Sequence, residues 1–196
     1  SLTLCYMAEA YERLEDFDKA LDHYIKSKTI NPDLADAWLG IGIVKDLQGL
    51  TSQAIAYLQQ AVNIQTTNAN YNLVLGEALF KLERYAEAEI VLERALQLDN
   101  TYSEAIELLA KIKFEYNIIE AIDFLILAKE NSPLNTSNIM LLVSLYWYNG
   151  ERFNALELFK NEFAQNAKNS IKYLILHLPE SVKITDFKNI INPDND

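Results

Sequence analysis

Apolar residues recur along the chain at intervals of three and four, the spacing of one side of an α-helix, with polar residues between them. In the opening stretch LTLCYMAEAYERLE the apolar stripe is Leu4, Met7, Ala8 and Tyr11; further on, Leu75, Gly76 and Leu79 repeat the spacing. Proline-bearing breaks such as Asn31-Pro32 and Ser132-Pro133 interrupt the stripes, because a residue before proline is driven out of the α region. The pattern predicts a chain of helices joined by short turns, all-α throughout.

The stripes themselves recur. Ala20, Ala54 and Ala88 are 34 residues apart, each followed four residues later by Tyr24, Leu58 and Leu92 and seven later by Ser27, Ala61 and Ala95. Ala8, Gly42, Gly76 and Ala110 form a second small-residue series on the same interval. Ala121 and Ala155 keep the interval once one residue is deleted between the two helices of the fourth unit. Phe153 lies one residue nearer its alanine than Phe17 does to Ala20, which predicts a different inter-helix turn in the fifth unit. In the second unit Trp38, Ile41, Gly42 and Lys45 share one side of a helix, so the large residue is expected to fill a gap while Gly42 admits the partner helix.

Trp38, Ile41, Gly42, Ala54 and Leu58 in the second unit, with Leu4, Met7, Ala8, Tyr11, Ala20, Tyr24 and Pro32 in the first, resemble the tetratricopeptide-repeat (TPR) pattern W-x2-L-G-x2-Y, A-x3-F, P. The resemblance implies a right-handed α-solenoid of about five TPR-like helix-turn-helix repeats plus a C-terminal capping helix. The repeats are expected over 1–34, 35–68, 69–102, 103–135 and 136–167, with capping helix and tail over 168–196. Ile171, Leu174, Ile175 and Leu178 carry the capping pattern, stopped by Pro179. The segment after it is read either as a degenerate second helix or as a loose tail presenting Phe187, Ile190 and Ile191.

Composition narrows the chemistry. Five glycines and four prolines in 196 residues suit helices. The formal charge of −11, with 28 acids against 17 bases, argues against a nucleic-acid partner, whose affinity comes mainly from Lys and Arg. RNA binding by a helical-repeat scaffold is disfavoured on the same ground. One cysteine, Cys5, excludes an internal disulfide framework. No apolar run is long enough to cross a bilayer, and acids stand where a signal peptide carries bases. The expectation is a soluble, cytoplasmic chain whose native N-terminus lies outside this sequence. His23 and His177 have no Cys or His neighbour at metal-ligand spacing, and Gly40, Gly42, Gly49, Gly76 and Gly150 form no phosphate loop. No catalytic residue, metal or cofactor is expected, and the chain is read as no enzyme.

A helix whose positions 4, 7, 8 and 11 face its partner turns positions 2, 5, 9, 12 and 13 the other way. That opposite face resembles the concave groove in which family members hold peptides. It holds Leu39, Ile43, Asn70, Leu73, Glu77, Phe80, Glu104, Glu107, Lys111, Phe114 and Trp147, and also Cys5, Glu9, Glu12, Asp36, Asp46, Lys81 and Tyr148. Neighbouring first helices are expected to bury part of this apolar area against each other. Acids outnumber bases on the face, which predicts a protein or peptide partner that is both basic and apolar. The Lys and Asn set with which chaperone-binding members hold a C-terminal carboxylate is matched only by Asn70, so a chaperone-tail adaptor is not expected. Two functions follow: a protein-interaction scaffold, or a regulatory or substrate-recruiting segment of a larger enzyme or assembly machinery.

Overall fold

The structure, a computed structural model, describes residues 1–131 and 133–163. Among them ten helices form five helix-turn-helix pairs: α1 (Leu2–Arg13) and α2 (Phe17–Ile30); α3 (Ala35–Leu47) and α4 (Thr51–Ile64); α5 (Ala69–Lys81) and α6 (Tyr85–Leu98); α7 (Ser103–Tyr116) and α8 (Ile118–Asn131); α9 (Thr136–Tyr148) and α10 (Arg152–Phe163). No strand occurs among the described residues. The expected capping helix with His177, and the tail with Phe187, Ile190 and Ile191, lie outside them. The described residues divide into two compact units, the first ending at 109 and the second beginning at 110, with the division inside α7.

In the first unit α1 packs on α2, α3 on α4 and α5 on α6, while α2 lies against α3 and α4 against α5. The seams are closed by small residues. Ala8, Ala20, Ala54, Ala61, Ala88 and Ala95 are wholly buried, interleaved with Leu58, Leu75 and Leu92. Full burial of each such leucine stabilises the fold by about 1.5–3 kcal/mol. A methyl group added at Gly42 would overlap the Leu58 side chain, and one at Gly76 would overlap Leu92. In the second and third pairs a leucine of the partner helix fills the space each glycine leaves, not Trp38 as expected.

Between pairs a second interlock appears that the 34-residue series does not mark. The Tyr24 ring of α2 stands on Gly40 of α3, where an added methyl would overlap it. Trp38 secures the turn entering the same helix. Its indole N–H donates to the Pro32 carbonyl at 2.7 Å, its ring meets Tyr57 at 6.1 Å between centroids, and the Lys28 ammonium lies 4.6 Å from it.

The turns inside the pairs follow one form. Residues 14–16, 48–50, 82–84 and 149–151 join their helices, with the middle residue in the left-handed region: Glu15 at φ 58°, Gly49 at 76°, Glu83 at 58° and Gly150 at 83°. The fourth turn is the exception, a single residue, Asn117. Its amide donates to the Lys113 carbonyl at 2.8 Å, and its Oδ1 accepts from the Ile119 amide at 2.9 Å. The residue deleted from the interval is therefore the left-handed one, whose work the Asn117 side chain takes over. The expectation of a different fifth turn is corrected, because 149–151 has the common form. Phe153 is instead a solvent-facing residue, 76% exposed, and does not replace Phe17 at all.

In the second unit α8 and α10 both pack against α9. Its core includes Ile122, Leu125, Leu142, Val143 and Phe159, with Phe163 tilted against Phe159 at 5.2 Å.

Candidate binding groove

Helices α5 and α7 bring together four of the acids and aromatics expected in the groove. Glu77 and Phe80 from α5, with Glu104 and Glu107 from α7, line a recess of about 390 Å³ completed by Lys81 and Leu108. One wall is apolar: Phe80 is tilted against Tyr85 at 5.4 Å, so its ring is held beside the opening. Leu108 was not among the expected groove residues. Its signal was its place one turn beyond Glu104, on the same side of α7.

Acids outnumber bases among the residues that line the recess. Its one ammonium, Lys81, is ion-paired with Asp46 of α3, which also accepts the Thr51 hydroxyl at 2.7 Å. Glu77, Glu104 and Glu107 line the same opening. Partial burial holds the Glu77 carboxyl above its ordinary value; Lys81 opposes this, and Glu104 and Asp46 add to it.

Other acids of the inner face are engaged within the fold. Asp36 accepts the Tyr71 hydroxyl at 2.5 Å, which together with burial drives the tyrosine pKa upward. Glu12 accepts the Tyr24 hydroxyl at 3.1 Å, and burial raises its carboxyl. These pairs staple helices together, so the acidity offered to a ligand is less than a residue count implies.

The remaining expected positions separate. Leu39 and Ile43 of α3 are half-buried, with Leu39 packed beside Ala35, Ala61 and Tyr71; Asn70 is exposed. Leu73 is corrected: it is 6% exposed, a core position of α5, which lies in contact with α3. Cys5 is corrected likewise. It is buried, with Sγ 3.1 Å from the Ser27 hydroxyl, and desolvation raises its thiol pKa, so it is an unreactive core residue. In the second unit Lys111 is exposed and Phe114 is 42% exposed, tilted against Tyr148 at 6.4 Å. Trp147 is corrected from anchor to core: it is 9% exposed, with the Arg152 guanidinium 5.4 Å from its ring.

Helix pairs on a 34-residue interval, small residues at their seams and an inner face lined by first helices define a tetratricopeptide-repeat array. Two family models described as tetratricopeptide repeat match residues 1–67 and 47–112, and the chain belongs to that family. It is similar to the mouse protein O-mannosyl-transferase TMTC1, 35% identical over 80 residues, which are 41% of this chain and 7% of that protein. The chain spans a tenth or less of the length of the curated relatives it matches. Among solved structures it resembles MamA, with a TM-score of 0.72 and 24% identity over 83% of this chain and 96% of that one. It also resembles YrrB, described as a TPR protein with an unusual peptide-binding site, with a TM-score of 0.66 and 22% identity over 89% of each chain. No helix among the described residues is long and apolar enough to cross a membrane.

Proposed function

We propose that the chain is a non-enzymatic protein-interaction module that holds a basic and apolar segment of a partner protein against α5 and α7. The carrying observation is the recess where Glu77, Glu104 and Glu107 surround an opening walled by Phe80 and Leu108, with its one lysine paired to Asp46. A Lys or Arg side chain entering there meets three carboxylates, while an adjacent large apolar residue covers Phe80. Opposite charge speeds encounter, and the aromatic contact supplies most of the affinity. Leu39, Ile43, Asn70, Lys111 and Phe114 are the further positions offered for contact. The existence of a peptide-binding site in a neighbour of the same fold, YrrB, supports this reading.

A labelled 12-residue peptide alternating Lys or Arg with Leu and Phe, titrated by fluorescence anisotropy, tests it. It should bind more weakly as salt rises, and its counterpart with Glu in place of Lys and Arg should not bind. Glu104→Lys with Glu107→Lys should weaken the basic peptide at least tenfold while leaving the helical circular dichroism unchanged. Equal binding of both peptides would contradict the assignment.

The similarity to TMTC1 favours a second reading, in which the same surface recruits substrate for a longer polypeptide bearing a transferase. It predicts that mannosyl transfer by the full-length polypeptide falls on the same double reversal.

A further inference from the structure

The second unit carries an open recess at a place that the first unit fills with its own side chains. The register that carries Ala20 to Ala121 and Ala54 to Ala155 also carries Lys28 to Lys129, Trp38 to Ile139, Ile41 to Leu142 and Tyr57 to Leu158. In the first unit these positions form a plug. Tyr57 packs on the cluster that contains Ile41, its ring lies 6.1 Å from that of Trp38, and the Lys28 ammonium stands 4.6 Å from the Trp38 ring and 5.6 Å from the Tyr57 ring. In the second unit neither ring is present, since Ile139 and Leu158 stand in their places. The lysine is drawn elsewhere as well: Lys129 pairs at 2.5 Å with Glu162, which replaces the Ala61 of the first unit. Between α8 and α10, with α9 beneath, lies a recess of about 500 Å³ whose walls include Ile126, Leu142, Tyr146 and Leu158.

We infer that this recess receives a tryptophan or tyrosine side chain of a partner protein, with a lysine or arginine next to it in sequence. The chemistry of the occupant is that of the plug it replaces, an aromatic ring over the residue that corresponds to Ile41 and a cation beside the ring. The recess offers matching surfaces. Buried Leu142 and half-buried Ile126 and Leu158 form an apolar bed, and half-buried Tyr146 adds a ring for an aromatic contact. Glu130 of α8 and Glu157 of α10, both exposed, line it from different helices and suit the cation. A large aromatic side chain seated in a pocket is a frequent anchor of protein contacts, because it buries much area while ordering few bonds. The surface shares no lining residue with the recess between α5 and α7, so it is a second contact and not an extension of the first.

Site-resolved amide shifts on the whole chain test this, with the peptide Gly-Lys-Trp-Lys-Gly as probe and the same peptide carrying Ala for Trp as control. The Trp peptide should shift amides of α8 and α10 and saturate them at least tenfold more tightly than the control. Leu158→Tyr, which restores the ring that the first unit holds there, should abolish those shifts while any at α5 and α7 persist and the helical circular dichroism stays unchanged. Glu130→Lys with Glu157→Lys, at exposed positions, should weaken the α8 and α10 site several-fold. No shift at α8 and α10, equal binding of the two peptides there, or shifts that survive Leu158→Tyr would overturn the inference. So would a dimer in sedimentation that Leu158→Tyr disperses, since the recess would then hold a second copy of this chain.

Discussion

Glu77 is held in surroundings that work against its charge, and the stability of the fold should register that. Its carboxyl titrates above the ordinary 4.5, so the folded state binds its proton more tightly than the unfolded state does. Stability from this group is fully present at low pH and lost as pH rises from about 4.5 through the raised value. Glu77→Gln should therefore stabilise the chain against urea at pH 7 and have almost no effect at pH 4. If Glu77 serves binding, the same change should weaken capture of basic peptides. A second prediction concerns Gly40: Gly40→Ala should destabilise by about 1–3 kcal/mol through overlap with Tyr24, although alanine is the better helix former by about 1 kcal/mol. Adding Tyr24→Leu should remove much of the loss, a coupling readable by a double-mutant cycle. The sequence carried these positions unevenly. Gly42 and Gly76 lie on the repeat interval and were legible; Gly40 belongs to a single contact between pairs and was not. Cys5, Leu73 and Trp147 were assigned to the inner face by position alone, which does not report burial; Cys5, for one, is met by Ser27 of α2, 22 residues away.

At the scale of elements the 34-residue interval made helix pairs and their small-residue seams readable, because each pair solves the same packing problem with the same residue sizes. Turns were less readable, since a three-residue turn is defined by a backbone angle that several side chains tolerate. Glu15 and Glu83 adopt the left-handed conformation that glycine takes at 49 and 150. Glu83→Gly should relieve that strain against a smaller entropic loss and stabilise by up to about 1 kcal/mol. Glycine introduced at the neighbouring helical position, Leu82→Gly, should destabilise, and thermal melts of the two variants should move in opposite directions. The shortened fourth turn should be intolerant in another way. Asn117→Ala removes the side-chain acceptor of the Ile119 amide and should cost about 0.5–2 kcal/mol, detectable as faster exchange at the start of α8.

At the scale of the whole molecule the strong negative charge was legible from composition, but its distribution was not. Several acids of the inner face are consumed in bonds between helices, Asp36 with Tyr71, Asp46 with Lys81 and Glu12 with Tyr24. Three further acids, Glu77, Glu104 and Glu107, concentrate at the recess between α5 and α7, where two helices one repeat apart bring together residues about thirty positions distant in sequence. The central claim is that this concentration selects basic, apolar protein segments. Selection of a random 12-residue peptide library on the immobilised chain, run in parallel on the Glu104→Lys, Glu107→Lys variant, measures it most directly. The account predicts enrichment of Lys or Arg beside Leu, Phe or Trp on the native chain and loss of that preference on the variant; acidic or featureless winners, or the same winners on both, would contradict it.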